Sequence, residues 1–158
     1  MESNVPMKLR ATMRAIATIA ICNLVATALI IVESFLTVRY APWGRWAVDL
    51  SSLSSKDLAM KYGDPAVLLH RGLMLDLWVF GPAIALIVGL VAGLIYRRAD
   101  WWISVLSIVV LVTIYSTPTS VMNISASLFY LALTWLVMRI VCGWHYANDY
   151  TKKAAASP

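Results

Sequence analysis

The chain has 158 residues, of which 61% are hydrophobic and 13% charged. Soluble domains are about half apolar and a quarter charged, so this composition excludes an ordinary soluble fold and indicates an integral membrane protein. The net charge of +5 comes without any basic stripe interleaved with aromatics, and most Lys and Arg flank apolar runs. That pattern argues against nucleic acid and for membrane lipids as partners.

Lys8, Arg10 and Arg14 precede the uncharged run Ala15–Val32. The small residues Ala26-Thr27-Ala28 resemble a signal-peptide cleavage site, but the run is long enough to span, so an uncleaved first span is expected over about residues 14–36. Asn23, Thr27 and Ser34 fall on one face of that helix. Facing lipid they would lack partners, so they are expected to point into a bundle. Glu33 lies near the outer end, within reach of Arg39 or Arg71.

A loop of about residues 38–73 follows. Ser54 and Asp57 resemble a capping box, and Gly63 follows as a helix terminator. Asp64-Pro65 then pairs an N-cap residue with proline at the first helical position. A short helical extracytoplasmic cap is expected, its second helix running through Gly72 into the next span. Asp64, His70, Met74 and Asp76 are candidate metal ligands, because oxygen, imidazole and thioether donors together suit a transition metal. Their spacing matches no ligand signature.

The second span is expected at 74–96. Gly81, Ala85, Gly89 and Gly93 recur at every fourth position, a small-residue face that lets helix backbones approach closely. Pro82 removes a backbone donor and crowds the carbonyl of Trp78, which predicts a kink.

Residues 101–138 contain no Asp, Glu, Lys or Arg. That length is too great for one span and suits two joined by a turn at Pro118, here placed at 101–117 and 120–141. Ser104 and Ser107 add small polar groups to the third span. Asn123, Ser127, Tyr130 and Thr134 share a face of the fourth. Arg139 ends it and can snorkel to headgroups. The Lys-Lys-Ala-Ala-Ala tail is expected to be disordered.

Aromatic belts mark the boundaries, with Tyr40, Trp43, Trp46 and Tyr115 at one interface and Tyr96, Trp101, Trp102, Trp144 and Tyr146 at the other. Lys8, Arg10, Arg14, Arg97, Arg98, Arg139, Lys152 and Lys153 fall on the side of the termini. Arg39, Arg45, Lys56, Lys61 and Arg71 fall on the other. The positive-inside rule then puts both termini in the cytoplasm.

Chemistry is scarce. His70 and His145 should lie on opposite sides of the membrane, which excludes a haem held by both. Cys22 and Cys142 form no C-x-x-C and read as small buried apolar residues. There is no G-x-S-x-G, H-E-x-x-H, P-loop or G-x-G-x-x-G. No motif indicates a cofactor, and no catalytic residue stands out.

The expectation is an all-α integral membrane protein, a four-transmembrane-helix bundle forming one polytopic domain over residues 1–158. The function expected first is a non-catalytic structural or accessory subunit of a larger membrane complex, with other subunits or further copies of itself as partners. The alternatives are a small oligomeric channel or transporter using the polar faces of spans one and four, and a metal-dependent protein acting at the outer surface. Cysteine placed at Ser55 should react with a membrane-impermeant reagent in intact cells, and cysteine at Ala155 only after permeabilisation. The reverse pattern would invert the topology.

Overall fold

In hydrocarbon every backbone N–H and C=O needs a partner within the protein, and apolar runs satisfy that need as helices. The computed structural model describes residues 7–115 and 121–156, with side chains for 9–114 and 124–148. Every regular element among them is helical. The order is α1 (Met7–Tyr40), α2 (Pro42–Asp49), α3 (Ser55–Tyr62), α4 (Pro65–Leu75), a π-helical turn (Asp76–Phe80), α5 (Gly81–Tyr96), α6 (Trp101–Ser107), α7 (Val109–Tyr115) and α8 (Val121–Ala156). Pro118 and the turn around it lie outside the described residues, as do the side chains of Tyr115 and Asn123.

Among the described residues, three stretches are long and apolar enough to cross a membrane: Leu9–Tyr40, Pro65–Tyr96 and Ile124–Asn148. The helices outrun the uncharged segments at their ends. The expected third span at 101–117 is not one continuous helix. α6 and α7 hold 7 residues each and part at Ile108, whose φ of −114° and ψ of 12° leave the helical region. Each piece rises only about 10 Å. The tail expected to be disordered instead continues α8 to Ala156.

Between the first two long helices, α2, α3 and the start of α4 form a small helical cap. Gly44 brings α2 back onto the last turns of α1. A Cβ there would lie 2.3 Å from the carbonyl oxygen of Thr37. The Ser54 hydroxyl accepts from the N–H of Asp57 at 3.3 Å and starts α3. Gly63, at φ +78°, ends it. The Asp64 carboxylate accepts from the N–H of Ala66 at 2.9 Å, with Pro65 opening α4. Asp49 ties α2 to α3. It accepts from Lys61 Nζ and from the Tyr62 hydroxyl, each at 2.7 Å. These bonds, that from Lys61 first, hold its carboxyl below the usual carboxylate range. Trp43, expected in an interfacial belt, is half-buried against Gly72.

α5 packs most extensively on α8 and next on α1. Gly81 meets Tyr130, Gly89 meets Thr134, and Gly93 meets Val141. Because the numbers rise together, α5 and α8 run parallel. The small-residue face formed by Gly81, Ala85, Gly89 and Gly93 is buried in this contact. A Cβ at Gly89 would lie 2.7 Å from the carbonyl oxygen of Thr134, which is helix backbone and cannot swing aside. Gly89→Ala should therefore cost about 1–3 kcal/mol through overpacking. Leu90→Val, at a side chain 47% exposed, should be close to neutral. Thermal unfolding in detergent compares the two, and equal tolerance would remove the close-contact account.

Candidate functional site

Proline cannot donate a backbone hydrogen bond, so Pro82 must orphan a carbonyl in the turn before it. The chain widens there into the π turn, and the N–H of Gly81 reaches back to the carbonyl of Asp76. The next bond of that wider register would run from residue 82 to Leu77, and Pro82 has no N–H for it. The Tyr130 hydroxyl of α8 donates to the Leu77 carbonyl instead. Tyr130 and Leu77 are both buried.

The break at Ile108 is completed in a similar way. In a continuous helix the N–H of Val110 would bond to the carbonyl of Leu106. Here the Asn23 carboxamide sits between them. Its Nδ2 donates to Leu106 O at 2.7 Å, and its Oδ1 accepts from Val110 N–H at 3.2 Å. One side chain inserted into the ladder thus replaces the missing helical bond, a known cause of sharp kinks. Further polar contacts tie α8 to α5, to α6 and to the segment between them. Thr134 Oγ1 donates to Ala85 O at 3.3 Å, Ser104 Oγ to Met138 Sδ at 3.4 Å, and Trp135 Nε1 to Ala99 O at 3.3 Å.

Not all of the expected polar faces point inward. Tyr130 and Thr134 are buried and Ser127 is half-buried, but Thr27 and Ser34 are exposed on α1. Thr27 Oγ1 bonds the carbonyl of Asn23 in its own helix at 2.8 Å. A threonine satisfied on its preceding turn has no need of a partner helix, which is why the face splits.

Glu33 was expected within reach of Arg39 or Arg71. Its carboxyl accepts from Thr37 Oγ1 at 2.9 Å, and the Asp76 carboxyl lies close enough to act on it electrostatically. Arg39 turns to Tyr40, its guanidinium 5.7 Å from the ring centroid. Asp76 opens the π turn, and among the described residues its buried Oδ1 has no hydrogen-bond partner. Arg139 is exposed and sits 5.2 Å from the Trp135 ring centroid.

The candidate metal ligands sit in different settings. Asp64 is occupied as a helix cap, His70 is exposed, and Asp76 faces Glu33. Among the described residues no group of three or more His, Cys, Asp or Glu is placed to hold a metal.

Three features went unread in the sequence: the π turn, the Asn23 bridge and the meeting of Glu33 with Asp76. Pro82 was a usable signal for the first, because it had to orphan a carbonyl. Ile108 carries no such signal. Fold and site together define an all-α, multi-pass membrane protein. No protein family, curated protein or solved structure matches this chain.

Asn23→Leu leaves one donor and one acceptor unmatched and should cost about 2 kcal/mol or more. Tyr130→Phe leaves one carbonyl and should cost about 1 kcal/mol. Thr27→Val should change little. Unfolding in mixed micelles ranks the three, and parity between Asn23→Leu and Thr27→Val would contradict the bridging role.

Proposed function

We propose that this chain is a non-catalytic, four-pass structural or accessory subunit of a larger membrane complex, with both termini in the cytoplasm. The four-pass reading is supported by the parallel run of α5 and α8. Parallel neighbours require the chain to return from one end of the bundle to the other between them. α6 and α7 lie between them in sequence and pack against α1, α5 and α8. Irregular backbone at membrane depth is tolerated where protein covers it, and Ile103, Ile108 and Leu111 are fully buried.

The observation that carries the subunit reading is the course of α8. It continues past Arg139 to Ala156, more than about four helical turns. Trp144 is 65% exposed and Tyr146 58% exposed on this extension. A helix of that kind gains little stability alone, since most helical stability comes from packing an apolar face. It is suited to packing against another protein. Within the bundle, Asn23, Tyr130 and Thr134 are engaged on the backbone of neighbouring helices, a structural use of the polar faces rather than the lining of a path.

A channel or transporter is the second reading, favoured by the meeting of Glu33 and Asp76. Ionisable groups in spanning segments commonly mark ion pathways.

Mild-detergent extraction of the full chain from its native membrane, followed by native mass measurement, separates the two. The subunit reading expects a heteromeric mass that is lost when the chain is stopped after Tyr146 and retained by Asp76→Asn. A closed homo-oligomer whose ion flux in liposomes falls with Asp76→Asn would replace it with the second reading.

A further inference from the structure

At the end of the bundle where α1 begins and α5 ends, a cavity of about 400 Å³ is lined by Arg10, Arg14, Arg97 and Arg98, with the rings of Tyr96 and Tyr146. Arg14, Arg97 and Arg98 thus border one space, with Arg10 beside them. Among the described residues no carboxylate shares that lining. Asp100 accepts from the Tyr96 hydroxyl at 2.9 Å and borders the adjoining cavity with Arg98 and Arg139. Arg14, Arg97 and Arg98 bring like charges to one space, and an anion between them relieves the repulsion. The planar fork of arginine matches the oxygens of phosphate in bidentate geometry.

The backbone contributes a second observation. Arg97 ends α5 at φ 58° and ψ 19°, in the left-handed region. Glycine or asparagine ordinarily holds such a position. Here it carries a guanidinium to the cavity.

Depth decides the source of the phosphate. Tyr96 is the last residue of one candidate span, and Arg10 and Arg14 lie in the first turns of another. The cavity therefore sits at the level of lipid headgroups. Beside it on α1, Met13 is 61% exposed and Ile16 63% exposed, an apolar surface for acyl chains.

We infer that this cavity binds the phosphate of an anionic phospholipid headgroup, with the acyl chains lying along α1. The site does not depend on the subunit reading. On the proposed topology it faces the cytoplasmic leaflet, where anionic lipids concentrate.

The test uses the full chain in detergent micelles with three probes: phosphatidylglycerol, phosphatidylcholine and inorganic phosphate. Native mass spectrometry should show phosphatidylglycerol retained in preference to phosphatidylcholine, and thermal melting should rise with the anionic lipid alone. The double substitution Arg14→Gln with Arg97→Gly should weaken that binding by about tenfold or more, the loss of at least one charge-assisted contact. Glycine is at ease in the left-handed region, so Arg97→Gly alone keeps the fold and gives a second, safer readout. Lys56→Gln, in the helical cap at the other end, should leave lipid retention unchanged. Undiminished retention by the double variant would overturn the site, as would an equal loss in Lys56→Gln. Stabilisation by inorganic phosphate without any gain from phosphatidylglycerol would overturn the lipid source and leave a soluble phosphate as the ligand.

Discussion

The structure depends on a rule that hydrocarbon enforces and water does not: no backbone amide or carbonyl is left without a partner. The Asn23 carboxamide answers that rule at the break between α6 and α7 by taking both ends of one missing bond. The bridge also sets register, because a side chain from α1 can satisfy Leu106 and Val110 together at only one height. With α1 held there, Cys22 comes to the carbonyl of Val88 on α5, Sγ to oxygen 3.8 Å. One amide therefore aligns α1 with α6, α7 and α5.

The irregularity at Pro82 is met by a different route with the same result. The π turn moves the orphaned carbonyl to Leu77, where Tyr130 reaches it. That reach requires Gly81, since a Cβ there would lie 2.3 Å from the tyrosine hydroxyl. The small residues of α5 are thus not interchangeable. Gly81 makes room for a hydrogen bond, while Gly89 and Gly93 let α8 come close. Packing and polar satisfaction depend on each other along this contact.

Much of this was legible in the sequence, and the limits are physical. Uncharged runs showed membrane-spanning helices because charge is costly at that depth. Ser54, Gly63, Asp64 and Pro65 marked the ends of α3 and α4 because capping is local chemistry. The stripe Gly81, Ala85, Gly89 and Gly93 showed a close contact, and only tertiary structure identified α8 as the other side. The break at Ile108 was not legible, because no Pro or Gly marks it and the side chain that bridges it, Asn23, is far away in sequence. Residues 101–117 read as one span because hydropathy registers apolar length and not continuity of the helix. Nearness in sequence also says little about the setting of the candidate metal ligands. Asp64, His70, Met74 and Asp76 are close in sequence, but a helix start, an exposed position and a facing carboxylate use or separate them.

The two ends of the bundle differ in kind, and this difference bears on function. At one end α2 folds onto α1 through Gly44, Trp43 packs on Gly72, and the Asp49–Lys61 pair at 2.7 Å ties α2 to α3. That end carries a helical cap built from its own chain. At the other end Arg10, Arg14, Arg97 and Arg98 surround an open cavity, and α8 extends beyond the bundle with Trp144 and Tyr146 exposed. Polar side chains in the interior hold broken helices together. Tyr146 belongs both to the lining of the arginine cavity and to the projecting part of α8, so the two adjoin. On the proposed reading, a bound anionic lipid would screen the arginines just where a partner meets α8, and lipid and partner would act on the same face of the molecule.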